Sequence, residues 1–217
     1  MARKSRAVSS QGTEFAMSQY GATSVDVTIT AISNANPAVI TAAAHGLKTG
    51  DIVDISGVLG MTGINGQGGV VKVLTTSTFS VIGIDSTDYV AYASGGVATP
   101  VVLISTCQHK SYSGFDGAAS EIDITTLCST AKEKDMGLQD AGSMSVEMNY
   151  VEDDPLQIEA KTAKRDAQYR WFRLTKRNGY FKVWQGQVLS FGDSGAVDGV
   201  NTGTLSVSIS GEVSEII

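Results

Sequence analysis

Apolar and polar positions alternate along Ser143–Tyr150, with Met144, Val146, Met148 and Tyr150 on one side and Ser145, Glu147 and Asn149 on the other. A period of two predicts a strand with one buried face. Thr204–Val213 repeats the pattern, setting Leu205, Val207 and Ile209 against Thr204, Ser206, Ser208 and Ser210. Short β-branched runs, Val25–Ile32, Asp51–Ile55, Val70–Leu74 and Thr78–Ile82, are broken by His45-Gly46, Thr49-Gly50, Asn65-Gly66, Gly68-Gly69 and Gly95-Gly96. That spacing predicts a small barrel or sandwich. One stretch has helical spacing instead. Asp154-Pro155 offers an N-cap and a first helical residue, and Leu156, Ala160, Ala163 and Ala167 follow opposite Gln157, Lys161, Lys164 and Arg165. This predicts an amphipathic helix over 155–167. Tyr169–Arg177 and Tyr180–Leu189 then flank Asn178-Gly179. A two-residue type I′ turn there would set Arg177 opposite Tyr180, Leu174 opposite Val183, and Arg173 over Trp184 as a cation–π pair. Residues 192–203 read as a Gly/Asp loop, and 111–142, with little periodicity, as a long loop of the kind that is usually functional. The chain is therefore expected to be mainly β with a single helix.

Composition narrows the class. With 217 residues, 42% hydrophobic and 18% charged, the chain can bury a substantial core. No apolar run reaches membrane-spanning length, and the opening MARKSRAVSSQGTEF lacks the apolar region of a secretory signal. Two cysteines, Cys107 and Cys128, cannot make a disulfide framework; they suit a reducing cytoplasm, and burial is their expected state. The net charge of −6 argues against attraction to nucleic-acid phosphates. That charge is uneven: residues 1–25 carry Arg3, Lys4 and Arg6 against Glu14, whereas residues 26–100 hold two Lys and five Asp. The middle block thus reads as a separate unit.

Catalytic signals are few. Gly192-Asp193-Ser194-Gly195 resembles the nucleophile tetrapeptide of chymotrypsin-like proteases, and Thr41-Ala42-Ala43-Ala44-His45 resembles their histidine neighbourhood, with Asp85 or Asp88 between. A histidine would deprotonate the serine while an aspartate fixed its tautomer. The tetrapeptide continues as Ala196-Val197-Asp198, not the Gly-Pro of that family, and Gly-Asp-Ser-Gly is also an ordinary loop between strands. His45 and His109 have no second ligand at a metal spacing, so turn or surface roles are expected. Asn65–Gly69 lacks the Lys-Ser/Thr of a phosphate loop, and Glu152, Asp153 and Asp154 read as a solvated helix N-terminus. No catalytic residue, cofactor or metal is expected.

A further pattern runs through Ser113–Gly117, Glu121–Leu127, Ser129–Glu133, Gly137–Ser143, Val197–Val200 and the closing Val207–Val213, with Ser10-Gln11-Gly12-Thr13 near the start. It resembles the major tail tube proteins of long, non-contractile-tailed phages over residues 1–25 and 101–217. The block 26–100, through His45-Gly46-Leu47, Gly50-Asp51, Ser56-Gly57-Val58, Gly60-Met61, Asn65-Gly66, Thr78-Phe79 and Tyr92–Gly96, resembles the first catalytic cysteine half-domain module of ubiquitin-activating enzymes, as found in phage structural proteins. The resemblance implies a tail-tube β-sandwich with one flanking α-helix, an N-terminal arm over 1–13, and a small β-barrel inserted at 26–100. It implies a non-enzymatic virion protein, made in a bacterial cytoplasm and stacking as hexameric rings into a DNA conduit. Its partners would be further copies of itself, the tape measure, tail terminator and tail tip proteins, and DNA passing without specific binding. Under it, Ser145, Glu147, Asn149, Ser206, Ser208 and Ser210 are candidates to face the lumen. Arg3, Lys4 and Arg6 become candidates for an inter-subunit arm pairing with acidic residues of a neighbour. The rival reading is a soluble receptor- or carbohydrate-binding β protein.

Overall fold

The structure, a computed structural model, describes residues 10–22 and 24–216. Strand β1 (Glu14–Ser18) precedes seven strands that pair with one another: β2 (Val27–Thr28), β3 (Ala31–Ile32), β4 (Ala38–Thr41), β5 (Ile52–Leu59), β6 (Gly68–Thr75), β7 (Thr78–Ile82) and β8 (Ser94–Pro100). Their order is β2-β8-β5-β6-β7-β4-β3. The two edge strands are consecutive in sequence, so the bent segment 27–32 serves both edges. Val27 pairs with Ala98 and the Ile29 N–H bonds to Gly96 O at 3.0 Å, while the Thr30 N–H bonds to Thr41 O at 2.8 Å and Ile32 pairs with Ile40. The sheet thereby closes into a barrel, which leaves no free edge. Inward positions Ile29, Ile40, Val53, Ile55, Ile64, Val71, Phe79 and Val81 make its core.

The remaining strands are β9 (Leu103–Thr106), β10 (His109–Gly114), β11 (Ala119–Asp123), β12 (Lys134–Gln139) and β13 (Ser143–Asn149). After helix α1 (Pro155–Asp166) come β14 (Arg170–Thr175), β15 (Phe181–Ser194) and β16 (Thr202–Ile216). A second seven-stranded sheet has the order β10-β13-β16-β15-β14-β1-β9, and β11 pairs with β12 as a separate hairpin. The fold is mainly β, with one α-helix among the described residues. By compactness the described chain forms two units. One holds residues up to Ser105 with Arg173–Val183 and residues from Ser214 on; the other holds Thr106–Phe172 and Trp184–Val213.

Asp154 caps α1, its Oδ1 accepting the Gln157 N–H at 3.1 Å, and Pro155 occupies the first turn. Leu156, Ala160 and Ala163 are buried as the spacing predicts, but Gln157 is not on a solvated face. It is fully buried, its Nε2 donating to Asn149 O at 2.8 Å and its Oε1 accepting from Val151 N at 3.1 Å. The helix stops at Asp166 because Ala167 turns left-handed, at φ 51°. Glu159, one turn from the buried apolar stripe, meets Arg170, whose side chain is 1% exposed. The Arg170 Nε donates to Glu159 Oε1 at 3.1 Å and its Nη2 to Asp166 Oδ2 at 2.6 Å, which ties the helix to β14.

Several sequence expectations need correction. The hairpin turn is not type I′: Asn178 stays out of the left-handed region and only Gly179, at φ 82°, enters it. The Gly179 N–H bonds to Lys176 O at 2.9 Å and the Lys176 N–H to Tyr180 O at 2.7 Å, a three-residue loop with a glycine bulge. Tyr180 therefore opposes Lys176 instead of Arg177, and the register moves by one. Phe172, not Arg173, stacks on Trp184 at 5.7 Å with a 14° interplanar angle, and Leu174 and Trp184 are both buried. Arg173 instead reaches Gly50 O with Nη1 at 3.4 Å. The segment 111–142 is not a loop, since it contains the end of β10 and the whole β11–β12 hairpin. Strand β15 runs to Ser194 and β16 begins at Thr202, so the expected 192–203 loop shrinks. Cys107 and Cys128 are both exposed.

Candidate interaction surfaces

The residues that suggested nucleophilic catalysis are held in structural bonds. His45 is largely buried; its Nδ1 accepts the Leu47 N–H at 3.1 Å, which leaves Nε2 to donate to Thr75 O at 3.0 Å. That pairing ties the turn after β4 to β6. The Ser194 hydroxyl lies 2.9 Å from Thr202 Oγ1, bridging the ends of β15 and β16. His109 Nδ1 is 3.2 Å from Thr106 O at the start of β10. Among the described residues no group of three His, Cys, Asp or Glu is placed to hold a metal ion, and no helix is long and apolar enough to cross a membrane.

The polar strand faces that the sequence singled out come together. Strand β13 pairs antiparallel with β16, setting Ser145 opposite Ser206, Ser143 opposite Ser208, and Glu147 opposite Thr204, while Asn149 faces Thr202. Ser210 lies beyond this pairing and is exposed. The other edge of β13 pairs with β10, bringing Ser113 to Ser145 and Ser111 to Glu147. Ser111 Oγ donates to Glu147 Oε2 at 3.2 Å, and Lys110 Nζ stands 3.6 Å from Oε1. The result is a hydroxyl-rich face three strands wide, whose carboxylate at Glu147 is already paired with a lysine. Sequence alone missed Lys110 and Ser111, because Ser111 meets Glu147 from 36 positions away along the chain. Met144, Val146, Met148, Leu205 and Val207, on the opposite face, are buried. Arg3, Lys4 and Arg6 lie outside the described residues.

In the barrel unit a cavity of about 560 Å³ is bordered by Asp26, Thr28, Thr30, His45, Leu47 and Asp51. Its polar groups are largely committed: Asp26 Oδ1 accepts from Thr99 Oγ1 at 2.6 Å, Asp51 Oδ2 from Lys48 N at 2.8 Å, and Thr30 Oγ1 donates to Thr41 O at 3.0 Å.

The β11–β12 hairpin exposes several large apolar side chains. Glu121 opposes Met136 and Asp123 opposes Lys134, so Met136 shares one face with these charges, while a register shift between Met136 and Gln139 breaks the alternation at Gly137 and Leu138. Ile122 opposes Asp135 on the other face, where Ile124 joins it. Leu127 stands in the tip. Leu127 is fully exposed, Leu138 93% and Met136 76% exposed, and Ile122 and Ile124 about half. Both faces of this two-stranded arm therefore carry uncovered apolar side chains. A lysine–glutamate pair, Lys134 Nζ to Glu121 Oε2 at 2.5 Å, spans its charged face. The Thr125 hydroxyl and N–H bond to the Asp123 carboxylate and hold it below its ordinary pKa.

Among known families, the model of the ubiquitin-activating enzyme E1 FCCH domain matches residues 35–101. This is the module that the middle block resembles, and the span contains no cysteine. No curated protein matches the chain. The match overturns the tail tube resemblance and the function drawn from it, because the family found is the FCCH domain and not a phage tail tube family. The motifs behind that resemblance have a local explanation. Gly114, Gly117 and Gly142 stand where the two chains at the base of the arm touch backbone to backbone, a geometry that demands glycine whatever the family.

Proposed function

We propose that the protein is a non-catalytic interaction protein that assembles with copies of itself through the β11–β12 arm. The supporting observation is the set of five large apolar side chains, Ile122, Ile124, Leu127, Met136 and Leu138, left uncovered on both faces and at the tip of a two-stranded hairpin. A lone hairpin is marginal in water, and exposed apolar area of this kind marks an interaction site. Charge favours a second copy as the partner. The arm carries Glu121, Asp123, Glu133 and Asp135 against Lys132 and Lys134, and the basic Arg3, Lys4 and Arg6 of another copy offer the complement. The bonds holding Ser194 and His45 in structural roles support the non-catalytic side of the reading. The test is mass by light scattering across a concentration series. Wild type should form assemblies that Leu127→Ser combined with Leu138→Ser disperses without changing the melting temperature of the monomer. A permanently monomeric wild type would refute the proposal.

A further inference from the structure

We infer that Phe115 sets the angle at which the arm leaves its sheet, through a ring-to-ring lock on Trp184. This rests on the self-association reading and assigns the residue that presents the arm to its partner. Strand β10 ends at Gly114, and the next residue, Phe115, lies at φ 63°, a backbone region that L residues rarely adopt. The neck around it is backbone packed on backbone. A Cβ at Gly114 would fall 2.2 Å from Ser143 O, one at Gly117 1.8 Å from Asp140 O, and one at Gly142 2.8 Å from Gly117 N. The Phe115 N–H bonds to Ser143 O at 3.1 Å and the Asp140 N–H to Ala118 O at 3.3 Å, so outgoing and returning chains are clasped together.

Glycine would meet that φ without strain, yet the position holds a phenyl ring. The left-handed turn carries the ring edge-on to the indole of Trp184, with centroids 4.9 Å apart and planes at 89°. Trp184 is completely buried, stacks on Phe172, and its Nε1–H meets no acceptor among the described residues. The indole therefore offers Phe115 an apolar seat, and the aromatic contact sustains the strained backbone. An arm held at one angle loses less freedom on docking than a swinging one.

The test compares full-length Phe115→Gly with wild type, both in a Trp171→Phe background that leaves Trp184 as the sole indole. Amide exchange along 119–139 is expected to accelerate, the near-ultraviolet signal of Trp184 to change, and self-association to weaken by about tenfold, the equivalent of one aromatic pair. Phe115→Tyr should restore all three. Unchanged exchange and association in Phe115→Gly would overturn the lock while leaving the arm as the docking element. Association that survives loss of Leu127 and Leu138 would instead overturn the self-association reading. If Phe115→Gly does not fold, Phe115→Leu decides by the same exchange measurement.

Discussion

Ser86 shows how one hydroxyl can organise a loop. It is wholly buried, its Oγ lying 2.7 Å from Ser33 O and 2.9 Å from Ala35 O while accepting the Ala35 N–H at 3.1 Å. Ser86→Ala would strand these groups away from water, and the expected loss is about 1–3 kcal/mol by urea unfolding. A second residue-scale prediction concerns Tyr180, Lys182 and Glu215. The Lys182 ammonium, 2.5 Å away, and then the Tyr180 hydroxyl hold the Glu215 carboxyl below its ordinary value. The bond to Glu215, with partial burial, pushes the Tyr180 phenol up to about 12. The two signs are opposite. Stability from Glu215 is full above its reference value of 4.5 and is lost as pH falls through the depressed folded value. Stability from Tyr180 is full below its reference value of 10.0 and is lost as pH rises through about 12. Alkaline titration should show one late-ionising tyrosine, and Glu215→Gln should return it toward the ordinary value. A wild type in which every tyrosine ionises together would contradict this.

Helix α1 and strand β14 are joined by a buried charge as well as by packing. Replacing Arg170 by Met removes its charge-assisted bonds to Glu159 and Asp166 in a nearly closed site. The expected cost is about 3–5 kcal/mol of unfolding free energy by chemical denaturation, and the double variant Arg170→Met, Glu159→Leu should recover most of it. If the double variant is no better than the single one, the ion pair is not what couples the two elements. The helix itself was legible because its signals are local: Asp154, Pro155 and the Leu156–Ala160–Ala163 stripe lie within one continuous segment. Gln157 and Glu159 were not, since their partners Asn149, Val151 and Arg170 belong to neighbouring elements. Asn178-Gly179 marked a hairpin correctly, but the same dipeptide serves two loop lengths that differ by one residue of register. The arm was hidden for another reason. Ile122 and Ile124 alternate with Glu121, Asp123 and Thr125, but the run is short, and with Leu127, Met136 and Leu138 scattered beyond it the stretch read as loop. Their presence in a segment otherwise so polar was the available signal.

The barrel has its own closed hydrogen-bond circuit and a core drawn from residues 29–98. A fragment of residues 24–102 is therefore expected to fold alone with a cooperative thermal transition, a behaviour of independent domains. It should melt lower than in the full chain, because it lacks the Arg173 bond to Gly50 O and the Phe181 ring, which lies where a Gly50 Cβ would come within 2.8 Å of it. A fragment without a cooperative transition would show that the core depends on the rest of the unit. The closure also has a mechanical consequence. The barrel is entered at β2 and left at β8, and these strands run antiparallel with Val27 against Ala98 and Thr28 against Val97. Tension applied through the flanking chain thus loads the end of that pair perpendicular to the strands, and its bonds break in succession instead of sharing the load. Pulled by its ends, the barrel should peel open at low force, starting at Val27, as a zipper does and a clasp does not.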